Sequence, residues 1–218
     1  MRYKCLVLDH DDTVVSSTAT IHFPSFLEFL SKVRPDSHYS LEEYFRKNFD
    51  PGIMELFTDE LHFTPEELDA EYHFWQDYVK TRVPRAYDGM REILERHRAQ
   101  GGLITVVSHS TSQTIMRDYR ENALPMPDLI FGWELPLEQR KPNAWPLLEI
   151  MKRFGLDKHE LLMLDDLKPG YDMARAVGVD FAAAGWANDI PEIEGFMRRN
   201  CDFYCKTVSD FDALLQEA

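Results

Sequence analysis

The sequence predicts an α/β fold, a Rossmann-like parallel sheet core with an inserted small helical domain. Short apolar runs, typical of buried strands, alternate with segments of helical periodicity along most of the 218 residues. Glycine follows several of the helical segments, for example at Gly155 and Gly178, where a left-handed residue commonly ends a helix. Residues 16–83 break the alternation with helical patterns alone. The predicted domains are therefore a core of residues 1–15 and 84–218 and an insertion of residues 16–83.

Six apolar runs are predicted as the strands of the core sheet, and the last of them is the weakest. They are Tyr3–Leu8, Gly102–Val107, Leu129–Phe131, Leu161–Leu164, Asp180–Ala183 and Phe203–Tyr204. The helices predicted between them include Gly89–Gln100, Thr111–Glu121, Trp145–Phe154 and Gly170–Val177. Because strands alternate with helices, we expect the strands to be parallel and the helices to cover both faces of the sheet.

The insertion carries helix signals of its own. Ser40 and Thr64 each precede a helical pattern and are followed three residues later by glutamate, which is the arrangement of a capping box. The predicted helices are Phe23–Val33, Leu41–Phe49, Met54–Phe57 and Pro65–Thr81. Aromatic residues are frequent here and recur at helical spacing, so we expect most of them to form the core of the insertion.

The composition of the chain limits its possible partners. A hydrophobic fraction of 44% and an aromatic fraction of 12% are those of an ordinary globular protein. The net charge of −14 argues against nucleic acid and anionic membranes as partners, because both need a basic face. An anionic substrate would therefore need local positive charge from a few side chains and a metal ion.

Neither the apolar runs nor the cysteines indicate a membrane or an extracellular location. No apolar run approaches the roughly 18 residues of a membrane span, and the chain enters its first strand almost at once, so we expect no signal peptide. Cys5 lies in a predicted strand, and Cys201 and Cys205 lack the further ligands of a zinc site. A reduced, cytoplasmic protein is expected.

Polar side chains capable of chemistry follow four stretches of the predicted core. The first strand runs into Asp9-His10-Asp11-Asp12-Thr13 and the second into Ser108-His109-Ser110. The loop after Phe131 reaches Arg140-Lys141-Pro142, and the fourth strand ends in Asp165-Asp166. Ligands of open parallel sheets bind beyond the carboxyl ends of the strands, so these groups are expected to converge on one site.

The carboxylates after the first strand indicate phosphoryl or metal chemistry. Carboxylates packed this closely repel one another, and a divalent cation or a transferring phosphoryl group relieves that repulsion. Asp9 and Asp11 lie two positions apart, so both can point to the same side, one as a nucleophile and the other as a proton donor. A solvated acidic turn that caps a helix is the alternative interpretation of these residues.

These motifs resemble those of the haloacid dehalogenase superfamily of aspartate-nucleophile phosphohydrolases. The family's Asp-x-Asp-x-Thr motif corresponds to residues 9–13, its strand-ending Ser or Thr to Ser108, its Lys to Lys141 and its acidic pair to residues 165–166. The order and spacing agree over nearly the whole chain. A resemblance to the phosphoglycolate phosphatase-like branch, with its helical C1-type cap, lies in Asp88-Gly89-Met90, Gly185-Trp186 and the helical insertion.

The resemblance implies a role for each of these residues. Asp9 would attack phosphorus, and Asp11 would act as general acid and then general base. The implied catalytic set is completed by Ser108 and Lys141, and the implied phosphate or substrate contacts are Thr13, Ser108, His109 and Lys141. A Mg²⁺ cofactor is implied, with Asp9, Asp11 (through its backbone carbonyl), Asp166 and Asp165 as candidate ligands. Within the acidic pair, Asp166 is the expected ligand and Asp165 is expected to orient Lys141 or the metal waters.

Several positions depart from the family pattern. Asp12 stands where the family usually has Gly, Ser16 stands where many relatives have Asp, and the second Asp of the longer Gly-Asp signature is missing. A side chain at position 12 requires an unstrained backbone there, and its charge can alter metal or substrate affinity. His10 is expected to point away from the site, and the role of His22 is left open.

The sequence therefore predicts a Mg²⁺-dependent phosphomonoester hydrolase that acts on a small phosphorylated metabolite through an aspartyl-phosphate. One alternative is a β-phosphoglucomutase-like phosphomutase, whose cap histidine falls one residue from the position of His22. A non-enzymatic phosphoacceptor or binding protein is the alternative outside the enzymes. A dehalogenase is disfavoured because Asp11 is present. The substrate is left open, as is the choice between a monomer and a homodimer.

Overall fold

The structure is a computed structural model that describes residues 2–217. Two compact units divide the chain: a core unit, which runs up to Ser16 and resumes at Arg85, and a helical unit, Ser17–Pro84. Each unit has its own cluster of buried apolar side chains. Within the described residues, no helix is both long enough and apolar enough to cross a membrane.

The helical unit is built from α-helices and two π-helical turns. In chain order they are a π turn at Thr18–His22, α1 (Phe23–Val33), α2 (Leu41–Phe49), α3 (Ile53–Glu55), a π turn at Leu56–Glu60, and α4 (Pro65–Lys80). Both predicted capping boxes are present, since the hydroxyls of Ser40 and Thr64 accept from the backbone N–H three residues on. Phe26, Phe29 and Phe57 are buried among other aromatic rings, and this aromatic cluster forms the core of the unit.

The core unit is built on a six-stranded sheet. Two further strands form a separate pair, so the described part of the unit has eight strands. In chain order they are β1 (Cys5–Leu8), β2 (Val15–Ser16), β3 (Arg85–Ala86), β4 (Leu103–Val107), β5 (Leu129–Phe131), β6 (Leu161–Asp165), β7 (Asp180–Ala184) and β8 (Phe203–Cys205). The sheet order is β5-β4-β1-β6-β7-β8, while β2 and β3 form a separate antiparallel pair. Every strand pair of the large sheet is parallel, which confirms the predicted α/β class.

In the described part of the core unit, five α-helices connect strands and a sixth follows the last strand. Those in the described chain are α5 (Met90–Ala99), α6 (Ser112–Glu121), α7 (Trp145–Phe154), α8 (Lys168–Val177), α9 (Pro191–Asn200) and α10 (Val208–Glu217). Every side chain of β1 and β6 is buried, as expected of parallel strands that are covered on both faces.

Some helix positions differ from the sequence-based prediction. The helix α8 begins at Lys168 rather than at Gly170, because Pro169 lies in its first turn, where the missing N–H has no intrahelical partner to lose. The helices α9 and α10 were not predicted. Pro191 at the start of α9 and Arg198 near its end are helix signals that the sequence contains.

The register of the sheet brings together the strand ends that carry predicted site residues. Leu8 of β1 lies beside Val106 of β4 and Leu164 of β6. Asp9 therefore leaves the sheet between the carboxyl ends of its two neighbours. This is the point where the strand order reverses, and ligands of open α/β sheets bind at such points.

Candidate active site

Backbone hydrogen bonds hold the turn that follows β1. The Asp9 N–H donates to the Leu164 carbonyl at 2.9 Å, and the His10 carbonyl accepts from the N–H groups of Val14 at 3.0 Å and Val15 at 3.1 Å. Asp12 has a φ of 56°, in the left-handed region. The expected unstrained backbone is therefore not found at this position, and the left-handed conformation costs about 1–2 kcal/mol for a residue with a Cβ. Aspartate is among the residues that adopt it most readily.

Lys141 connects the turn after β1 with the end of β6. Its Nζ donates to Asp9 Oδ1 at 2.5 Å and to Asp165 Oδ2 at 2.8 Å. Lys141 is 5% exposed and Asp165 is fully buried. Buried charges need such pairing, because an uncompensated one is strongly destabilising. Lys141 thus fixes one oxygen of Asp9 and places a positive charge beside it.

The two members of the acidic pair have different surroundings. Asp165 uses both oxygens: Oδ2 accepts from the lysine, and Oδ1 accepts from the Leu167 N–H at 2.8 Å. A Cβ on Gly170 would lie 2.1 Å from Asp165 Oδ2, so glycine is what lets α8 approach this carboxylate. Asp166 Oδ1 accepts from the Thr13 hydroxyl at 3.3 Å. These contacts favour Asp165 as the residue that orients the lysine and Asp166 as the metal ligand.

The loop after β4 holds the carboxylate of Asp11. The Ser110 hydroxyl donates to Asp11 Oδ2 at 2.6 Å, and the Ser110 N–H donates to Ser108 Oγ at 3.0 Å. The Ser108 N–H donates to the Phe131 carbonyl at 3.0 Å, which ties the loop to β5. The two predicted catalytic residues Asp11 and Ser108 are therefore linked through Ser110.

Protein groups engage the side chain of His109 and the backbone of Thr13. His109 Nε2 donates to the Lys141 carbonyl at 3.0 Å, and its ring packs edge-on against Trp133. Burial, reinforced by the Lys141 ammonium, lowers the pKa of His109 to about 4, so the ring is neutral at pH 7. Thr13 is fully buried, and its carbonyl accepts from the indole N–H of Trp186 at 3.2 Å. Phosphate contacts by His109 and Thr13 stay predictions.

Burial dominates the electrostatics of this cluster. It raises the pKa of Asp9 to about 7; Lys141 opposes the rise, while Asp165 and Asp11 add to it. Burial, followed by the charges of Asp165 and Asp9, also raises the pKa of Asp166 well above its usual range. Burial acts to lower the pKa of Lys141, but the adjacent carboxylates outweigh it and raise that pKa. The site therefore holds more carboxylates than one ammonium can neutralise.

The donor atoms of the cluster fit a hard divalent cation. Asp9, Asp165 and Asp166 each offer a carboxylate oxygen, and these oxygens all lie within 4.8 Å of one another. Oxygen donors of this kind are those that Mg²⁺ prefers, and a divalent charge would offset the excess of carboxylates. Because both oxygens of Asp165 are already hydrogen-bonded, Asp9 and Asp166 are the better candidates for direct ligation.

Three other polar residues make contacts with groups outside this cluster. His22 belongs to the helical unit, where its Nδ1 accepts from the Trp75 indole N–H at 3.0 Å. Asp172 forms an ion pair with a lysine of the same helix. His10 is directed towards α6, where its Nε2 lies 3.1 Å from Asp118 Oδ2.

Two residues with clear roles in the geometry were not among the predicted site residues. Ser110 lies two positions after Ser108, and the repeated hydroxyl at the strand end was a usable signal. Gly170 lies within the first turn of α8, where glycine lowers helix stability and thus indicates a packing requirement. The requirement is the approach of Asp165, which only the folded structure reveals.

Comparison with known proteins finds a matching family model and relatives that cover most of the chain. Residues 6–184 match the family model described as haloacid dehalogenase-like hydrolase. The chain is 25% identical over 183 residues to a phosphoglycolate phosphatase from Nitrosospira multiformis, covering 80% of each chain. It is also 25% identical over 192 residues to the pyrophosphatase PpaX from Halalkalibacterium halodurans, covering 86% of each chain.

Solved structures share the fold over nearly the whole chain. A hydrolase of the haloacid dehalogenase-like family from Streptococcus pneumoniae superposes with a TM-score of 0.78 at 14% identity, covering 100% of this chain and 99% of that one. CbbY from Rhodobacter sphaeroides, solved in complex with phosphate, superposes with a TM-score of 0.74 at 16% identity, covering 96% and 99%. At these identities the likeness establishes the fold alone.

Proposed function

This chain belongs to the haloacid dehalogenase-like hydrolase family, and from that premise we propose that it is a Mg²⁺-dependent phosphomonoester hydrolase that works through an aspartyl-phosphate. The substrate proposed is a small phosphorylated metabolite. The observation that carries the proposal is the buried contact of Asp9 with the Lys141 ammonium at 2.5 Å, next to the carboxylates of Asp165 and Asp166. A nucleophilic carboxylate needs such positive charge beside it before an anionic phosphoryl group can approach.

The first step transfers the phosphoryl group to Asp9. A carboxylate oxygen of Asp9 attacks phosphorus, and the bond between phosphorus and the ester oxygen breaks. Asp11 gives its proton to the departing oxygen, a contribution of ~10²–10⁴-fold to the rate. Ser110 holds Asp11 by its 2.6 Å hydrogen bond, and Lys141 offsets the charge of the transferring group.

The second step releases inorganic phosphate and restores Asp9. Asp11, now a carboxylate, takes a proton from water as the water oxygen attacks phosphorus. The bond between phosphorus and the Asp9 oxygen then breaks. Proposed contacts to the phosphoryl oxygens come from Ser108 and from the loop around His109. Splitting one displacement into two easier ones is the general advantage of a covalent intermediate.

The proposed metal ligands are Asp9, Asp166 and the backbone carbonyl of Asp11. When bound, Mg²⁺ supplies positive charge that offsets both the carboxylates and the substrate phosphate. Asp165 is proposed to orient Lys141, because it accepts from the lysine ammonium at 2.8 Å. Thr13 is proposed to orient Asp166 through its hydroxyl.

Hydrolysis is preferred here over the phosphomutase alternative. That alternative depends on a cap histidine near the position of His22, and the Nδ1 of His22 is used by Trp75 inside the helical unit. The relatives named above are a phosphoglycolate phosphatase and a pyrophosphatase. Phosphoglycolate, pyrophosphate and sugar phosphates are therefore the first compounds to be screened as substrates.

The proposal is tested by hydrolysis of p-nitrophenyl phosphate with Mg²⁺ and with EDTA. We expect turnover that requires the metal and is abolished by Asp9→Asn, which removes the nucleophile with little change in volume. Asp172→Asn is the matched control, because this aspartate forms a partly exposed ion pair with Lys168 on α8. Mg²⁺-dependent turnover in Asp9→Asn, or turnover that EDTA leaves unchanged, would contradict the proposal.

A further inference from the structure

A buried polar contact anchors the nucleophile turn to α6. His10 lies between Asp9 and Asp11 and is fully buried, and its Nε2 lies 3.1 Å from Asp118 Oδ2. Because an ionised carboxylate can only accept, Nε2 is the protonated nitrogen and donates this hydrogen bond. Asp118 is 1% exposed and lies on α6, the helix that begins directly after the loop of Ser108.

Neighbouring groups restrict both members of the contact. Asp118 Oδ1 accepts from the Arg117 guanidinium, from Nε at 2.8 Å and from Nη2 at 2.7 Å. The His10 ring stacks on Tyr119, with ring centroids 5.9 Å apart and an angle of 25° between the planes. The other ring nitrogen, His10 Nδ1, is buried and has no hydrogen-bond partner among the described residues. The bond to Asp118 is therefore the directional constraint on the ring.

The backbone of His10 carries this constraint into the catalytic turn. Its carbonyl accepts from the N–H groups of Val14 and Val15, which closes the turn. Successive side chains of an extended chain point to opposite sides, so fixing His10 on one side fixes Asp9 and Asp11 on the other. A second link joins this turn to the loop that precedes α6, because the Ser110 hydroxyl donates a hydrogen bond to Asp11.

We infer that His10 and Asp118 are positioning residues that hold the Asp9–Asp11 turn in register with the loop after β4. The inference rests on the proposed function, since it concerns the in-line geometry of that phosphoryl transfer. Both residues act through the turn and not on the reacting atoms. Displacements of about 1 Å cost up to ~10²-fold in such reactions, so the contact should affect kcat more than KM.

The test compares two polar replacements of His10 that differ in reach. The amide nitrogen of His10→Gln can occupy the place of Nε2 and donate to Asp118, whereas that of His10→Asn is too short to do so. With p-nitrophenyl phosphate and saturating Mg²⁺, we expect His10→Asn to lose ~10–100-fold in kcat with KM changed less than about threefold. We expect His10→Gln to keep kcat within about threefold of the wild type.

The matched control is the corresponding pair at His97. This histidine is also buried, and its Nε2 donates at 3.1 Å to the Leu103 carbonyl, at the opposite end of β4 from the catalytic loop. His97→Asn and His97→Gln should both lower the free energy of unfolding, and the two variants should have the same kcat per folded molecule. A purely structural role for His10 predicts the same pattern at position 10, so equal kcat values for His10→Asn and His10→Gln would overturn the inference.

A variant at the other end of the contact makes the test independent of any folding defect at position 10. Asp118→Leu has the branched shape of aspartate but offers no polar atom, so neither tautomer of His10 can form a hydrogen bond with it. We expect kcat to fall while KM changes little, and a wild-type kcat in folded Asp118→Leu would also overturn the inference. Failure of the proposed function is distinguishable, because it would appear as absent or Asp9-independent turnover in the wild type.

Discussion

Removal of the Lys141 ammonium should destabilise the folded protein strongly, apart from its proposed role in catalysis. The side chain is 3% exposed, and it donates at 2.5 Å to Asp9 and at 2.8 Å to Asp165. Lys141→Met keeps most of the volume but leaves two buried carboxylates without a countercharge. Charge-assisted hydrogen bonds contribute about 1.5–3 kcal/mol each, and breaking a buried ion pair costs about 3–5 kcal/mol. The expected loss is about 3–5 kcal/mol of unfolding free energy, a large fraction of the stability of a typical domain.

Urea denaturation at pH 7.5 in EDTA measures this loss. Lys152→Met is the control: the side chain of Lys152 is 81% exposed, so its removal should change the free energy by less than about 0.5 kcal/mol. Adding Asp165→Asn to Lys141→Met removes one of the two uncompensated charges and should recover about half of the loss. A loss of about 1 kcal/mol or less, or no recovery in the double variant, would refute the reasoning.

The stability of Lys141→Met should depend on pH in a defined way. The pKa of Asp9 is about 7 in the wild type, above that of an unfolded aspartate, so the folded state binds this proton more tightly. The stabilisation that comes from the proton on Asp9 is complete below about pH 4, the pKa of an unfolded aspartate, and is lost as the pH rises through 7. Without Lys141 the pKa of Asp9 should rise further. Lys141→Met should therefore regain stability between pH 7.5 and pH 5, and the absence of any gain would contradict the proposed charge balance.

Three further predictions concern the surroundings of the site and the helical unit. Gly170→Ala should lower kcat at least ~10-fold and lower the free energy of unfolding by about 1–3 kcal/mol, because the new Cβ would displace Asp165. Gly195→Ala is the control: its new Cβ meets only a flexible arginine, so kcat should be unchanged. Burial raises the pKa of Glu71 to about 7, so the folded state binds the proton of this carboxyl group more tightly than the unfolded state does. The stabilisation that this proton provides is lost as the pH rises from 4.5 to 7. Glu71→Gln should therefore be more stable than the wild type by about 1–2 kcal/mol at pH 8 but not at pH 5. Asp12→Asn keeps a residue that tolerates the left-handed backbone and removes a charge near Asp166. Urea denaturation with EDTA should show that this variant is more stable than the wild type. Mg²⁺ titrations should show that it binds the metal more weakly.

The sequence was sufficient for the fold class and the family because both depend on local patterns. Apolar runs that alternate with amphipathic segments predict a parallel sheet, and the sheet order and pairing confirm it. The motif residues Asp9, Lys141, Asp165 and Asp166 come together because the chain places each near the carboxyl end of a strand or in the loop that follows it. The family model confirms the predicted membership.

The sequence was insufficient where a role depends on a contact between distant residues. Asp118 is buried and charged on an otherwise ordinary amphipathic helix, and nothing in its local sequence reveals a partner 108 positions away. The role of Gly170 likewise depends on how closely α8 approaches Asp165. The left-handed backbone of Asp12 follows from the closure of the turn, in which its N–H donates to the Val15 carbonyl at 2.6 Å.

The central claim is that Asp9 carries the phosphoryl group during turnover, and trapping that intermediate tests it most directly. Acid quenching of the enzyme during turnover with Mg²⁺ and p-nitrophenyl phosphate, followed by borohydride reduction, should convert the phosphorylated aspartate to homoserine. Mass spectrometry of the peptide that contains residues 9–13 should then locate the change at Asp9 and find none in Asp9→Asn. Rapid turnover with no reducible intermediate at Asp9, together with activity in Asp9→Asn, would contradict the account.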